Sequence, residues 1–217
     1  MSSSKLIRQS GLLAMVGGAI WTTSWILNSL TEDGTRAVLG LSERGWRRAL
    51  DPAMLFFMAG LVGLYARHKR HSGKLLKAGF IITFVSLVTM LAGNVLEWWV
   101  RDFIYARGPE HHRLGSLGWT ISGLGFMIQP VGFILLGVAT LKAKVLSGWR
   151  GVLPLILGLI PVVWILVGVM VMLVSDARSA SVIFLSMIFL FGLSWIALGY
   201  ALWSERADVS VTGRRSR

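Results

Sequence analysis

The chain has 217 residues, of which 54% are hydrophobic and only 15% are charged, and its formal net charge is +12. Soluble domains carry about 25% charged residues, so this composition excludes an ordinary soluble protein. The sequence contains no cysteine, which excludes disulfides, thiolate catalysis, Cys-ligated zinc and iron–sulfur clusters.

Six apolar stretches predict six transmembrane helices. In chain order they are roughly 11–30, 52–66, 75–100, 116–141, 151–174 and 180–203. At 1.5 Å per residue, all but the second are long enough to cross a hydrocarbon core of about 30 Å. The short second stretch follows Asp51-Pro52, where Asp51 is a good N-cap and Pro52 suits the first helical position. We predict an all-α, polytopic integral membrane helical bundle in a single domain, with 204–217 as a basic, disordered cytoplasmic tail.

Lys and Arg residues are distributed unevenly between the loops, and this predicts the orientation. The N-terminus, the 67–77 and 142–150 loops and the tail together hold 14 Lys/Arg and two carboxylates, whereas the intervening segments hold 8 Arg and 8 carboxylates. The positive-inside rule therefore places both termini in the cytoplasm, in a prokaryotic plasma membrane. Basic residues beside spans are typical of contacts with anionic lipid head groups, so we expect lipids and not nucleic acid as partners. The expected head-group contacts are Arg67, Lys69, Arg70, Lys74 and Lys77.

The segment 42–50, between the first two spans, carries Trp46 among arginines. Tryptophan and arginine suit the head-group region of a membrane. The segment is therefore predicted to be either a short interfacial helix or a solvated loop.

Glu97 is the main candidate for a functional residue, because an ionisable group inside a span is costly. It lies near the outer end of the third span. Arg101, four residues later, can pair with it on one helix face, and Asn94 lies on that same face and can donate to its carboxylate. An interfacial ion pair is the expected role, and binding of a proton or a cation is the alternative.

Three further residues complete the candidate polar site. Gln129 precedes Pro130 near the middle of the fourth span, where an interhelical hydrogen bond is its expected role. Asn28 lies at the outer end of the first span, and Asp51 begins the second.

His111 and His112 are adjacent in a loop that also contains Glu110. Imidazole and carboxylate groups can bind zinc, but adjacent histidines in a loop are poor evidence for a site. We expect them to be surface residues, with a metal or catalytic site as the alternative, and we expect no cofactor.

The stretch 60–80, from Gly60-Leu61-Val62-Gly63 to Lys77-Ala78-Gly79-Phe80, resembles uncharacterised small six-span membrane proteins of bacteria and archaea. The resemblance is close over about 25 residues and otherwise extends only to layout. It implies a chain of six spans with helix–basic loop–helix units, and it implies no activity.

Three functional hypotheses remain open. The leading one is a non-catalytic membrane component, either an accessory or scaffold subunit or a lipid- or protein-interacting protein, in a homo-oligomer or larger complex. The second is a small transporter or channel, which is favoured by a weak repeat of Leu61-Val62-Gly63-Leu64 at Leu135-Leu136-Gly137-Val138. The third is a membrane enzyme with an outward polar site. No Gly-x-Ser-x-Gly, His-Glu-x-x-His or P-loop sequence supports catalysis.

Overall fold

The computed structural model describes residues 3–31, 37–68, 73–100, 109–174 and 177–204, without the side chains of residues 3, 109–112, 171–182 and 184. The helices in these ranges are α1 (Ser3–Ser29), α2 (Glu43–Arg48), α3 (Leu50–Arg67), α4 (Lys74–Val95), α5 (Pro109–Ala143), α6 (Leu153–Val174) and α7 (Ala177–Ser204). A π-helical turn, Leu96–Val100, follows α4, and a 3-10 turn, Gly148–Val152, precedes α6. Six of the described helices are long and apolar enough to cross a membrane, which confirms the all-helical class and the six long apolar segments. The predicted tail lies outside the described residues.

The starts of two helices differ from the prediction. Helix α3 begins at Leu50 with Ala49 as its N-cap, so Asp51 lies in the first turn and is not the cap. Because Ala49 alone separates α2 from α3, the chain enters α3 already in helical conformation. Helix α5 begins at Pro109, and the pair His111 and His112 therefore lies in its first turn and not in a loop. Between the first two long helices, the prediction of a short helix is confirmed, since Glu43–Arg48 forms α2.

The six long helices form a closed ring in which each packs mainly against two neighbours. The order around the ring is α1, α3, α4, α5, α6 and α7, and α7 contacts α1. The two terminal helices approach closely through glycines: a Cβ added at Gly11 would lie 2.6 Å from the carbonyl oxygen of Gly199, and one at Gly18 would lie 2.6 Å from that of Gly192. Small residues at such contacts let backbones pack tightly where no hydrophobic effect drives helices together.

Aromatic side chains fill the centre of the ring. The rings of Phe57 (α3) and Trp195 (α7) are stacked with centroids 4.2 Å apart, and Phe133 (α5) meets Trp195 edge-on at 5.5 Å. All three side chains are at most 1% exposed. We call Phe57, Phe133 and Trp195 the aromatic plug.

The repeated Gly63 and Gly137 do not pack equivalently. An added Cβ at Gly63 would meet Ser10 of α1, whereas one at Gly137 would meet Leu155 of α6. Gly63 in α3 therefore contacts α1, the long helix before it in the chain. Gly137 in α5 instead contacts α6, the long helix after it in the chain. The sequence repeat does not correspond to a repeat in packing.

Candidate functional site

A cavity of about 410 Å³ lies inside the ring, between the aromatic plug and the end of the bundle that carries α2 and the π-helical turn. All six long helices contribute to its wall. The wall is dominated by aromatic and aliphatic side chains, and its aromatic residues include Trp21, Trp25, Trp98, Trp119, Trp164 and Phe191. A largely apolar cavity of this size with a few polar groups is typical of a small-molecule site, for which roughly 300–1,000 Å³ is usual.

Phe191 connects the cavity to the plug beneath it. Its ring lies 6.1 Å from that of Phe57 and 6.5 Å from that of Trp195, and its side chain also lines the cavity. The residues of the plug are not part of the cavity wall. The cavity therefore ends at a packed aromatic layer.

Two arginines of α2 stack on tryptophans at one end of the bundle, and Arg47 also lines the cavity. The guanidinium carbon of Arg47 lies 4.3 Å from the ring centroid of Trp25 and 5.6 Å from that of Trp98. Arg48 lies 4.7 Å from the ring of Trp99, and its Nε donates to the carbonyl oxygen of Trp98 at 2.8 Å. A positively charged guanidinium is attracted to the face of an aromatic ring by such cation–π contacts. They hold α2 across the end of the bundle.

Asp51 joins α3 to α4 and to the π-helical turn. Its carboxylate accepts hydrogen bonds from Asn94 Nδ2 and from Trp99 Nε1, each at 2.6 Å. Asn94 Nδ2 also lies 3.3 Å from the carbonyl oxygen of Arg47. The Asn94 amide thus donates to Asp51 of the neighbouring helix α3, and its hydrogen bond to Glu97 stays a prediction.

The π-helical turn sets the directions of its side chains. A π turn adds one residue to a helical turn and is frequent at functional sites. Here Glu97 and Trp98 line the cavity, while the neighbouring Trp99 is directed to Asp51. Glu97 is half-buried and interacts electrostatically with Arg47. Arg101, its expected partner, lies outside the described residues.

Gln129 and Asn28 do not join this site. Gln129 is fully buried in α5, and neither atom of its amide has a hydrogen-bond partner in the described part of the chain, which contradicts the expected interhelical hydrogen bond. Asn28 Oδ1 is likewise buried without a partner there. Neither residue lines the cavity.

No group of three or more His, Asp or Glu side chains suited to a metal ion occurs among the described residues. The side chains of His111 and His112 lie outside that description. The metal alternative therefore stays untested.

The basic residues at the opposite end of the bundle have different surroundings. Lys74 and Lys77 are exposed, whereas Arg67 is half-buried and its Nε lies 3.4 Å from the carbonyl oxygen of Val145. Lys69 and Arg70 lie outside the described residues. Of the expected head-group contacts, Lys74 and Lys77 are thus the exposed ones that the structure describes.

Arg47, Trp21 and Trp25 also line the cavity, although they were not among the predicted site residues. Trp21 and Trp25 are four residues apart, so they lie on one face of α1 and both reach the cavity. That spacing, together with the arginines beside Trp46, was the available signal. Comparison with protein-family models, with curated proteins and with solved structures finds no match to this chain.

Proposed function

We propose that the chain spans a prokaryotic plasma membrane six times, with both termini in the cytoplasm. The support is the excess of Lys and Arg in alternate loops, together with six long apolar helices. Replacing the basic residues of the 67–77 loop with glutamate should disturb this topology. Reporter fusions at both termini measure it, and an unchanged pattern would contradict the orientation.

We infer further that the protein is a non-catalytic, lipid-interacting membrane component that binds an apolar chain in its cavity. The single observation that supports this is the cavity of about 410 Å³ lined mainly by tryptophan, phenylalanine and aliphatic side chains. Such a wall offers favourable contacts to a hydrocarbon chain and few hydrogen bonds to a polar solute.

The cavity opens towards the outer surface of the bundle beside α5. Leu124 and Met127 line it and are 55% and 48% exposed. Ile128 and Val131 lie one helical turn further on the same face of α5 and are also exposed, but they do not line the cavity. This face is therefore the outside of the bundle, and in a bilayer a lipid chain can enter from the side.

Gly123 provides a direct test. It lines the cavity, and a Cβ added there meets no atom within 4 Å. Gly123→Leu should place its side chain in the cavity, occupy part of it and weaken lipid retention. Native mass spectrometry of protein purified in mild detergent measures how much lipid each variant retains.

Gly168→Leu is the matched control. Gly168 in α6 also has open space around an added Cβ, but it does not line the cavity. Gly168→Leu should retain lipid as the unchanged protein does. Equal retention by both variants would contradict the proposal.

The transport and enzyme hypotheses receive less support from the geometry. A path for a polar solute would have to reach Gln129, which does not line the cavity, and would have to pass the aromatic plug. An enzyme would need an activated nucleophile or an acid–base pair, and the polar side chains of the described cavity wall are Arg47, Asn94, Glu97, Thr120 and Ser122.

A further inference from the structure

The two ionisable residues that line the cavity carry opposite charges. Arg47 comes from α2 and Glu97 from the π-helical turn, and they interact electrostatically. A ligand with a purely anionic head group would bring its charge towards Glu97, and a purely cationic one would bring its charge towards Arg47. Juxtaposed like charges in a binding site cost free energy. This part of the cavity wall therefore complements a head group that carries both a positive and a negative charge.

Arginine and glutamate also differ in the groups they can bind. The planar guanidinium of Arg47 is held between Trp25 and Trp98, and such a fork matches the oxygens of a phosphate. Its Nε is buried and has no hydrogen-bond partner among the described residues. A carboxylate accepts hydrogen bonds, so Glu97 suits a primary ammonium, which has three N–H donors.

The volume of the cavity limits how much of a lipid it can hold. At about 410 Å³ the cavity lies near the lower end of the roughly 300–1,000 Å³ that small-molecule sites usually have, so it has room for one acyl chain and not for two. The second chain of a diacyl lipid would remain in the bilayer beside Leu124 and Met127, where the cavity opens.

We propose that the cavity binds one acyl chain of a zwitterionic diacyl phospholipid whose head group is a phosphate with a primary ammonium, with the phosphate at Arg47 and the ammonium at Glu97. This inference rests on the lipid-binding function proposed above. It adds the class of head group and assigns one residue to each charge.

Competition between three lipids with identical acyl chains tests the assignment. Phosphatidylethanolamine has both charges and N–H donors, phosphatidylglycerol lacks the ammonium, and phosphatidylcholine lacks the N–H donors. The full chain in detergent micelles should retain phosphatidylethanolamine about tenfold more tightly than either other lipid, as measured by native mass spectrometry, because one charged hydrogen bond contributes about a factor of ten.

Substitutions at Arg47 and Glu97 test which of the two residues binds the phosphate and which binds the ammonium. Arg47→Gln should weaken binding of all three lipids about tenfold, since each carries a phosphate, and Arg47→Lys should restore part of it by keeping the charge. Glu97→Gln should abolish the preference for phosphatidylethanolamine over phosphatidylcholine. Glu43→Gln is its matched control, because Glu43 also interacts electrostatically with Arg47 but does not line the cavity. Arg44→Gln is the corresponding control for Arg47, because Arg44 is an exposed arginine of α2 that does not line the cavity.

The outcomes separate the two proposals. If the unchanged protein retains no lipid, or if Gly123→Leu retains as much as the unchanged protein, the lipid-binding function itself is wrong. If lipid is retained without discrimination between the three head groups, only the head-group assignment is wrong. Tighter binding of phosphatidylcholine would place the ammonium on tryptophan faces and overturn the role of Glu97. Equal effects of Glu43→Gln and Glu97→Gln would overturn it as well.

Discussion

Aromatic side chains are present in both halves of the bundle, but they fill the axis in one half and surround a cavity in the other. On the side of the plug, Phe57, Phe133 and Trp195 fill the axis, and α1 contacts α7 through Gly11 and Gly199. On the other side, the tryptophans surround a cavity, and α2 is held across the end by Arg47 and Arg48. Aromatic content alone therefore does not indicate a packed core. In the plug, aromatic side chains from different helices contact one another across the axis. On the other side they leave a space along the axis.

The largest expected effect comes from removing a tryptophan on the packed side. Trp195→Ala should cost about 3–5 kcal/mol of the free energy of unfolding, because its ring is fully buried and stacked on Phe57. Trp119→Ala, at a position that lines the cavity and is 63% exposed, should cost less than about 0.5 kcal/mol. Unfolding titrations in mixed micelles measure both values. Similar losses would mean that the two halves are packed alike.

A second test adds volume to the glycine contact. Gly199→Val should cost about 3 kcal/mol, because an added Cβ would lie 2.5 Å from the carbonyl oxygen of Gly11 and backbone atoms cannot move aside cheaply. Gly168→Val, where an added Cβ has open space, is the control. The same unfolding titration measures both, and a neutral Gly199→Val would show that α1 and α7 are not in tight contact.

A third test weakens the hydrogen bonds on the cavity side. Asp51→Ala removes the acceptor of Asn94 Nδ2 and Trp99 Nε1 and should cost about 2 kcal/mol. The loss should be local, so amide hydrogen exchange should rise in α2 and in the π-helical turn while the residues around the plug keep their protection. Uniformly faster exchange would mean that the two halves unfold as one unit.

The smallest effect is a gain in stability. Gln129 is fully buried and neither amide atom has a hydrogen-bond partner among the described residues, so Gln129→Met should raise the free energy of unfolding by about 1 kcal/mol. Thr140→Val is a useful comparison, because the hydroxyl of Thr140 donates to the carbonyl oxygen of Leu136 and its loss brings no such gain. A destabilised Gln129→Met variant would show that the amide is satisfied in the membrane.

The positions of the long helices were predictable from the sequence, because each is a long apolar run bounded by polar residues. The predicted 180–203, for example, corresponds to α7, Ala177–Ser204. The actual N-cap of α3, Ala49, was not predictable, since the Asp51-Pro52 signal is local and the Asp51 carboxylate accepts hydrogen bonds from Asn94 of α4 and Trp99 of the π-helical turn. Tertiary contacts between distant residues leave no periodic pattern in the sequence from which they could be predicted.

The candidate site was predicted only in part. Asn94 and Glu97 line the cavity and Asp51 bonds to Asn94, so the three lie at the same end of the bundle, as expected from their positions at the outer ends of the predicted spans. Gln129 was assigned to the same set because it is polar and central, but its helix directs it away from the cavity wall. The cavity itself could not be predicted, because it depends on which helices are neighbours in the ring.

The contact between α1 and α7 has a consequence for biogenesis. Helix α1 is synthesised before α7, so Gly11 and Gly18 lack their contacts with Gly199 and Gly192 until α7 has been made. The ring can therefore close, and the cavity inside it can form, only after α7 has joined the other helices.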